Sequence, residues 1–201
     1  MTAAPPRPRL VELDGRDLAD RLAEALTVYV TAMGYPPSTA RQRRTLWLEH
    51  VDRPGWRAVG WLDQAGPLLG IAYGYDGAPG QWWYEEVRRG LRRAGNPAWT
   101  NDYFELTELH VRPDAQGAGL GEGLLRALLA GTGRGHVLLS TPEHGPRPPG
   151  RAWRLYRRLG FRDVLRQHLF SGDSRPFAVL GRGLPLPRPE DRADVRTHAP
   201  A

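Results

Sequence analysis

A chain of 201 residues is long enough to bury a core of its own, and the absence of cysteine excludes disulfides, thiolate metal sites and a covalent thiol intermediate. Its 28 basic residues, all arginine, face 22 acidic ones for a formal charge of +6; the missing lysine excludes a Walker-type phosphate loop, a kinase strand lysine and Schiff-base chemistry. That charge suits an anionic cofactor, an acidic substrate or nucleic acid and does not choose among them.

The opening MTAAPPRPRL is proline-rich and polar, no long apolar run follows, and a soluble cytoplasmic protein is expected. Residues 1–8 and 185–201, rich in proline and charge, are expected to be loose tails around a single domain over 9–184. Within it, 9–14 reads as a strand. Leu18, Leu22, Leu26, Tyr29 and Met33 then recur at helical spacing and stop at Gly34 and the Pro36-Pro37 pair. A second helix opens at Ser38 and runs to 51. Residues 56–63 and 68–75 read as paired strands, 81–95 as a helix closed by glycine, and 102–111 as a strand. A helix over 118–131, a strand over 136–140, a helix over 151–159 and strands near 162–170 and 175–181 complete the chain. Helices on either side of a parallel pair formed by 102–111 and 136–140, with antiparallel edges, predict an α/β fold with a mixed sheet.

The stretch HVRPDAQGAGLGEGLL, residues 110–125, carries the clearest chemical signal. A strand, a glycine-rich turn and a helix N-terminus together describe an anion site, because the first helical N–H groups lack partners and glycine lets a phosphate approach the backbone. A tight strand-to-helix turn would also explain the glycines without any ligand. A Rossmann dinucleotide loop fits poorly, since the glycines fall at 117, 119, 121 and 123 and not as G-x-G-x-x-G. The histidines, His50, His110, His136, His144, His168 and His198, show no metal-ligand spacing, and no metal is expected.

The string Gln116-Gly117-Ala118-Gly119-Leu120-Gly121 after ELTELHV resembles the acetyl-CoA signature of the GNAT N-acetyltransferases, and AWRLYRRLGF over 152–161 resembles that family's second motif. The resemblance is strong over 102–161 and rests on element order elsewhere. It implies a central mixed, mostly antiparallel sheet flanked by helices on both faces, and acetyl-CoA as the acyl donor, without metal. The strand bearing Leu109, His110 and Val111 would splay from 136–140 and offer backbone groups to the pantetheine arm. Amides from Gln116 to Gly121 would hold the pyrophosphate, and an N–H near Leu109 would polarise the thioester carbonyl.

Catalytic roles follow from the same resemblance. Tyr156 lies with Ala152, Leu155 and Leu159 on one apolar helical face, which by spacing alone is a core position; the resemblance implies an acid for the departing thiolate. Glu105 and Glu108 are the candidate bases. Strand alternation places them on opposite faces, and Glu105 stands eleven residues before Gln116, the spacing of the glutamate base in the histone-modifying branch, which ranks it first. Two departures stand out. Ala118 occupies a place where many members carry a basic residue, and Pro149 one where asparagine contacts pantetheine, a task Ser140 or Thr141 would then take. Trp82, Trp83 and Tyr84, with Glu85 or Glu86, are expected either to wall a cationic acceptor or to pack in the core. The expected reaction is direct acetyl transfer to a primary amine of a small molecule or peptide, with neither nucleic acid nor membrane as partner and a homodimer left open. The alternatives are a macromolecular acceptor (a protein amine or aminoacyl-tRNA) and a non-catalytic acyl-CoA-binding module.

Overall fold

The computed structural model describes residues 8–64, 66–143, 145 and 150–188. Strand β1 (Arg9–Leu13) leads to helices α1 (Gly15–Asp20), α2 (Leu22–Met33) and α3 (Ser38–Val51), then to strands β2 (Arg57–Leu62) and β3 (Leu68–Asp76). Helix α4 (Trp82–Arg93) precedes β4 (Tyr103–Val111), α5 (Leu120–Leu129), β5 (His136–Pro142), α6 (Arg151–Arg158), β6 (Arg162–Leu169) and β7 (Pro176–Gly183). The seven strands form one sheet in the order β1-β2-β3-β4-β5-β7-β6, antiparallel throughout except for β4 with β5. This is the mixed, mostly antiparallel architecture expected.

Local chemistry sets the element ends. Asp14 caps α1 by accepting from the amides of Arg16 and Asp17, both at 2.8 Å, while Asp17 reaches back to the Asp14 amide at 3.1 Å. The single helix expected from 18 to 33 is two: Arg21 leaves helical geometry (φ −98°, ψ 7°), and its guanidinium binds the Gly66 carbonyl at 2.9 Å. Helix α2 stops at Gly34, which is left-handed, as its sequence position suggested. The C-terminal tail is not loose from 185 onward. Leu184 and Leu186 pack on the core, and Arg126 donates to the Pro187 carbonyl at 2.8 Å. Residues 1–7 and 189–201, the rest of the expected tails, lie outside the described residues.

Both faces of the sheet are covered. On one, Leu18, Leu22, Leu26, Tyr29 and Trp47 pack over Ile71, Tyr73 and Tyr75, and farther along α4 sets Val87 and Leu91 over Leu138 and Val179. On the other, α5 and α6 bury Leu124, Leu125, Leu128 and Leu159 against Ala72, Phe104, Val137 and Leu180. Each such leucine contributes about 1.5–3 kcal/mol.

Two irregularities in β4 shape everything that follows. Tyr73 pairs with Glu108 but Gly74 pairs with Leu106, so Thr107 is an extra residue, a bulge. The parallel pairing of β4 with β5 covers only Tyr103–Glu105 against His136–Leu138. Beyond it, β4 continues on β3 to Val111 and β5 continues on β7 to Pro142. The sheet therefore divides, with Glu105 at the fork.

Candidate active site

The fork leaves backbone groups of β4 facing a gap. The Arg112 amide donates to the Leu69 carbonyl at 2.8 Å, which fixes the alternation along the strand. Arg112 and His110 turn their peptide groups toward β3, and Leu109 and Val111 turn theirs toward the gap. Gln116 confirms the direction, because its side-chain amide donates to the Val111 carbonyl at 2.9 Å. Leu109 N–H and C=O and Val111 N–H are thus available to a ligand lying between the strands. His110 is different. Its backbone belongs to β3, and its side chain lies on the opposite face from Leu109 and Val111.

The glycine turn lies just past the end of β4. Gly117 and Gly119 have φ of 94° and 81°, left-handed values that a side chain would strain, and no atom crowds the place where either Cβ would be. Helix α5 therefore begins at Leu120, two residues later than periodicity suggested, with Gly119 as its N-cap and no side chain capping its first amides. Gly123 has a packing reason instead: a Cβ there would stand 2.9 Å from the Trp61 ring, and Trp61 donates to the Leu120 carbonyl at 3.0 Å. Ala118 is exposed and adds no charge, but Arg151, the first residue of α6, reaches across to Gln116 Oε1 at 3.3 Å. A guanidinium thus stands beside the turn.

The bulge at Thr107 overturns the expectation that Glu105 and Glu108 face opposite sides. Their cross-strand partners are Tyr75 and Tyr73, two residues apart on β3, so both carboxylates project to the face covered by α2 and α3. Glu105 is 3 % exposed; its Oε1 accepts from the Tyr75 hydroxyl at 3.0 Å, and its Oε2 is buried without a hydrogen bond. Burial raises its carboxyl to about 7, against the opposing pull of the Tyr75 hydroxyl and the Arg53 guanidinium. Arg53 lies 4.5 Å above the Tyr75 ring. Glu108 is held differently, by His110, whose Nε2 donates to its Oε2 at 2.5 Å. His110 in turn meets the Tyr29 ring edge-on at 5.0 Å. Behind them His50 contacts the Tyr73 hydroxyl at 3.0 Å, and burial followed by Arg53 and Arg43 pushes its pKa down to about 4.

Tyr156 enters from α6 on the opposite face. It is buried among the α5 and α6 core, and its hydroxyl makes no hydrogen bond to a described residue. Burial raises its phenol well above the usual range, and Glu108 is the charged group that adds to the effect. The α6 face is not the one periodicity gave: Ala152 is exposed, and Trp153 is buried in its place, donating to the Pro142 carbonyl at 3.1 Å. Pro149 and His144 lie outside the described residues.

The aromatic cluster of α4 divides in two. Trp83 is core, and its indole N–H donates to Ser140 Oγ at 3.0 Å on the β5 side of the gap. Trp82 is 54 % exposed and lies against Phe170. Glu86 pairs with Arg89 and accepts from the Ser171 hydroxyl at 2.9 Å, while Glu85 pairs with Arg88 at 3.5 Å. Glu86 thus anchors the β6–β7 turn and is not free for an acceptor. Tyr75, Arg53, His50, Trp153 and Arg151 were not found from sequence. Among the described residues, no three His, Asp or Glu side chains gather as metal ligands.

A family model described as an acetyltransferase (GNAT) domain matches residues 80–163. A GCN5-like protein acetyltransferase of Mycobacterium tuberculosis is 49% identical over 203 residues, covering 88% of this chain and 98% of the relative. Among solved structures, a GNAT-family acetyltransferase from Desulfovibrio desulfuricans aligns over 88% of this chain and 99% of its own, with TM-score 0.63 and 17% identity. An acetyltransferase from Thermus thermophilus aligns over 90% and 99%, with TM-score 0.56 and 21% identity. At that identity the structural likeness speaks to the fold alone.

Proposed function

The chain belongs to the GNAT acetyltransferase family, and from that premise we propose that it transfers the acetyl group of acetyl-CoA directly to a primary amine of a protein. The observation that carries the proposal is the fork itself: unpaired backbone of β4 on one side, and a buried glutamate with a carboxyl near 7 at the apex. A protein amine is favoured over a small molecule because a relative 49% identical over nearly its whole length is named a protein acetyltransferase.

The residues present fit acetyl-CoA as substrate. Leu109 and Val111 offer the gap-facing backbone groups an extended pantetheine amide chain needs. The uncapped amides at Gly119–Gly121 face the pyrophosphate, with Arg151 supplying the charge that Ala118 lacks. Leu109 N–H stabilises negative charge developing on the thioester oxygen. Glu108, fixed by His110, holds the incoming ammonium, which sheds a first proton to solvent to become the neutral amine that attacks, and Glu105 takes the second proton as the N–C bond forms. Tyr156 gives its hydroxyl proton to the sulfur as the C–S bond breaks, and solvent restores both groups. Two carboxylates on one face thus take separate roles, the desolvated one as base and the hydrogen-bonded one as anchor.

The test is thiol release from acetyl-CoA in the presence of lysine-containing peptides, paired with mass spectrometry of the peptide. Stoichiometric thiol and acetyl-lysine are expected. Acetyl-CoA binding with no amine-dependent thiol release would leave only a binding module.

A further inference from the structure

On β3, Tyr73 and Tyr75 stand opposite Glu108 and Glu105 of β4. Only Tyr75 hydrogen-bonds to its glutamate. The Tyr73 hydroxyl meets His50 Nδ1 at 3.0 Å, whereas the Tyr75 hydroxyl donates to Glu105 Oε1 at 3.0 Å. Tyr75 is buried, and its ring is fixed from two sides. The Arg53 guanidinium lies 4.5 Å from the ring centroid, and the His50 ring meets it at 5.1 Å with an interplanar angle of 61°. A phenol held in this way does not follow a turning carboxylate; it fixes the carboxylate. The two carboxylate oxygens are thereby made unequal. Oε1 accepts a hydrogen bond, and Oε2 is buried with none to a described residue. The other polar groups around the carboxyl are Tyr73 on β3, Tyr103, Thr107 and Glu108 on β4, and Arg53 just beyond α3. Helix α4 adds Tyr84, stacked on Tyr103.

We propose that Tyr75 is the positioning residue of the base: its clamped hydroxyl occupies Oε1 and reserves Oε2 for the proton taken from the attacking nitrogen. This rests on the reading of Glu105 as the base and names the atom through which it acts. As the N–C bond forms, the proton leaves nitrogen for Oε2. The carboxylate becomes a neutral carboxyl that still accepts from Tyr75 through Oε1. The same hydroxyl favours the ionised form against burial, and so keeps the base usable near neutral pH. Arg53 contributes twice, by its charge and by holding the Tyr75 ring.

The experiment compares wild type, Tyr75→Phe and Arg53→Ala as full chains, in two measurements. One is carbon NMR titration of the labelled Glu105 carboxyl, with Glu105→Gln identifying its resonance. The other is the pH dependence of kcat/KM with acetyl-CoA and a lysine peptide. Phe keeps the ring beneath Arg53 and removes only the donor. A hydrogen bond to an ionised group corresponds to about one to two pH units, so the Glu105 titration and the acid limb should both move upward by about that much. At pH 7 kcat/KM should then fall on the order of tenfold and recover at higher pH, with the KM for acetyl-CoA unchanged. Arg53→Ala should move both titrations the same way, and Arg53→Lys should restore most of the shift; this pair carries the test if Tyr75→Phe does not fold. Variants that lose stability but leave both titrations in place would make Tyr75 merely structural and overturn the inference. A Glu105 resonance that moves as expected, beside a wild-type rate profile with no acid limb, would instead overturn the reading of Glu105 as base beneath it.

Discussion

Replacing Glu105 by glutamine keeps the side-chain shape and an acceptor for the Tyr75 hydroxyl, and removes the titration. Burial lifts the carboxyl from 4.5 to about 7, which corresponds to about 3 kcal/mol against the ionised form in the folded state. Between those two pH values the folded protein keeps a proton that the unfolded chain has released, so wild-type stability falls as pH rises from about 4.5 through about 7. Glu105→Gln removes that slope. It should be more stable than wild type by up to about 3 kcal/mol above pH 7, the difference closing below pH 4.5, as measured by urea unfolding across the range. Activity should move the other way. Wild-type kcat/KM should show an acid limb near pH 7, and the variant should lose that limb together with roughly 10²–10⁴-fold in turnover. A variant with the wild-type acid limb, or with wild-type turnover at pH 8, would refute the assignment of Glu105 as base.

Tyr156→Phe keeps the ring packed against Phe161 and should lower kcat by roughly 10²–10⁴-fold with thermal stability and acetyl-CoA affinity little changed; normal turnover with lost stability would make it a core residue. Arg151→Ala should weaken acetyl-CoA binding several-fold and flatten its salt dependence, read by calorimetry, whereas an unchanged affinity would leave the phosphates to the backbone alone. Trp83→Ala should cost about 3–5 kcal/mol in unfolding experiments, because it empties a buried site, while exposed Trp82→Ala should leave stability nearly intact and raise the acceptor KM. Equal effects of Trp82→Ala on the KM of both substrates would remove it from the acceptor wall.

The strand-glycine-helix turn was legible in sequence because backbone chemistry is written in glycine. Gly117 and Gly119 are required by their left-handed φ, and the strand before them and the helix after them follow from simple periodicity. The arrangement of the two glutamates was not legible. One extra residue at Thr107 leaves the composition of β4 looking like a regular strand yet turns Glu105 and Glu108 to the same face. Tyr75 reaches Glu105 from β3 while His50 of α3 and Arg53 just beyond it gather on the Tyr75 ring, and no spacing within the chain announces that meeting. On α6 a one-residue error in helical phase exchanged Ala152 for Trp153, since the short arginine-rich helix offers few apolar residues to fix the stripe. Trp82, Trp83 and Tyr84 could be read as wall or core; the structure buries Trp83 and leaves Trp82 exposed against Phe170.

The central claim is that acetyl-CoA lies in the fork between β4 and β5, and backbone-amide NMR during titration with acetyl-CoA tests it without depending on any acceptor. The largest, saturable shifts are predicted at Leu109, Val111 and Gly117–Gly121, with Tyr103 and Phe104, which remain paired to β5, changing least. Saturable shifts centred elsewhere, or none at Leu109 and Val111, would contradict the account.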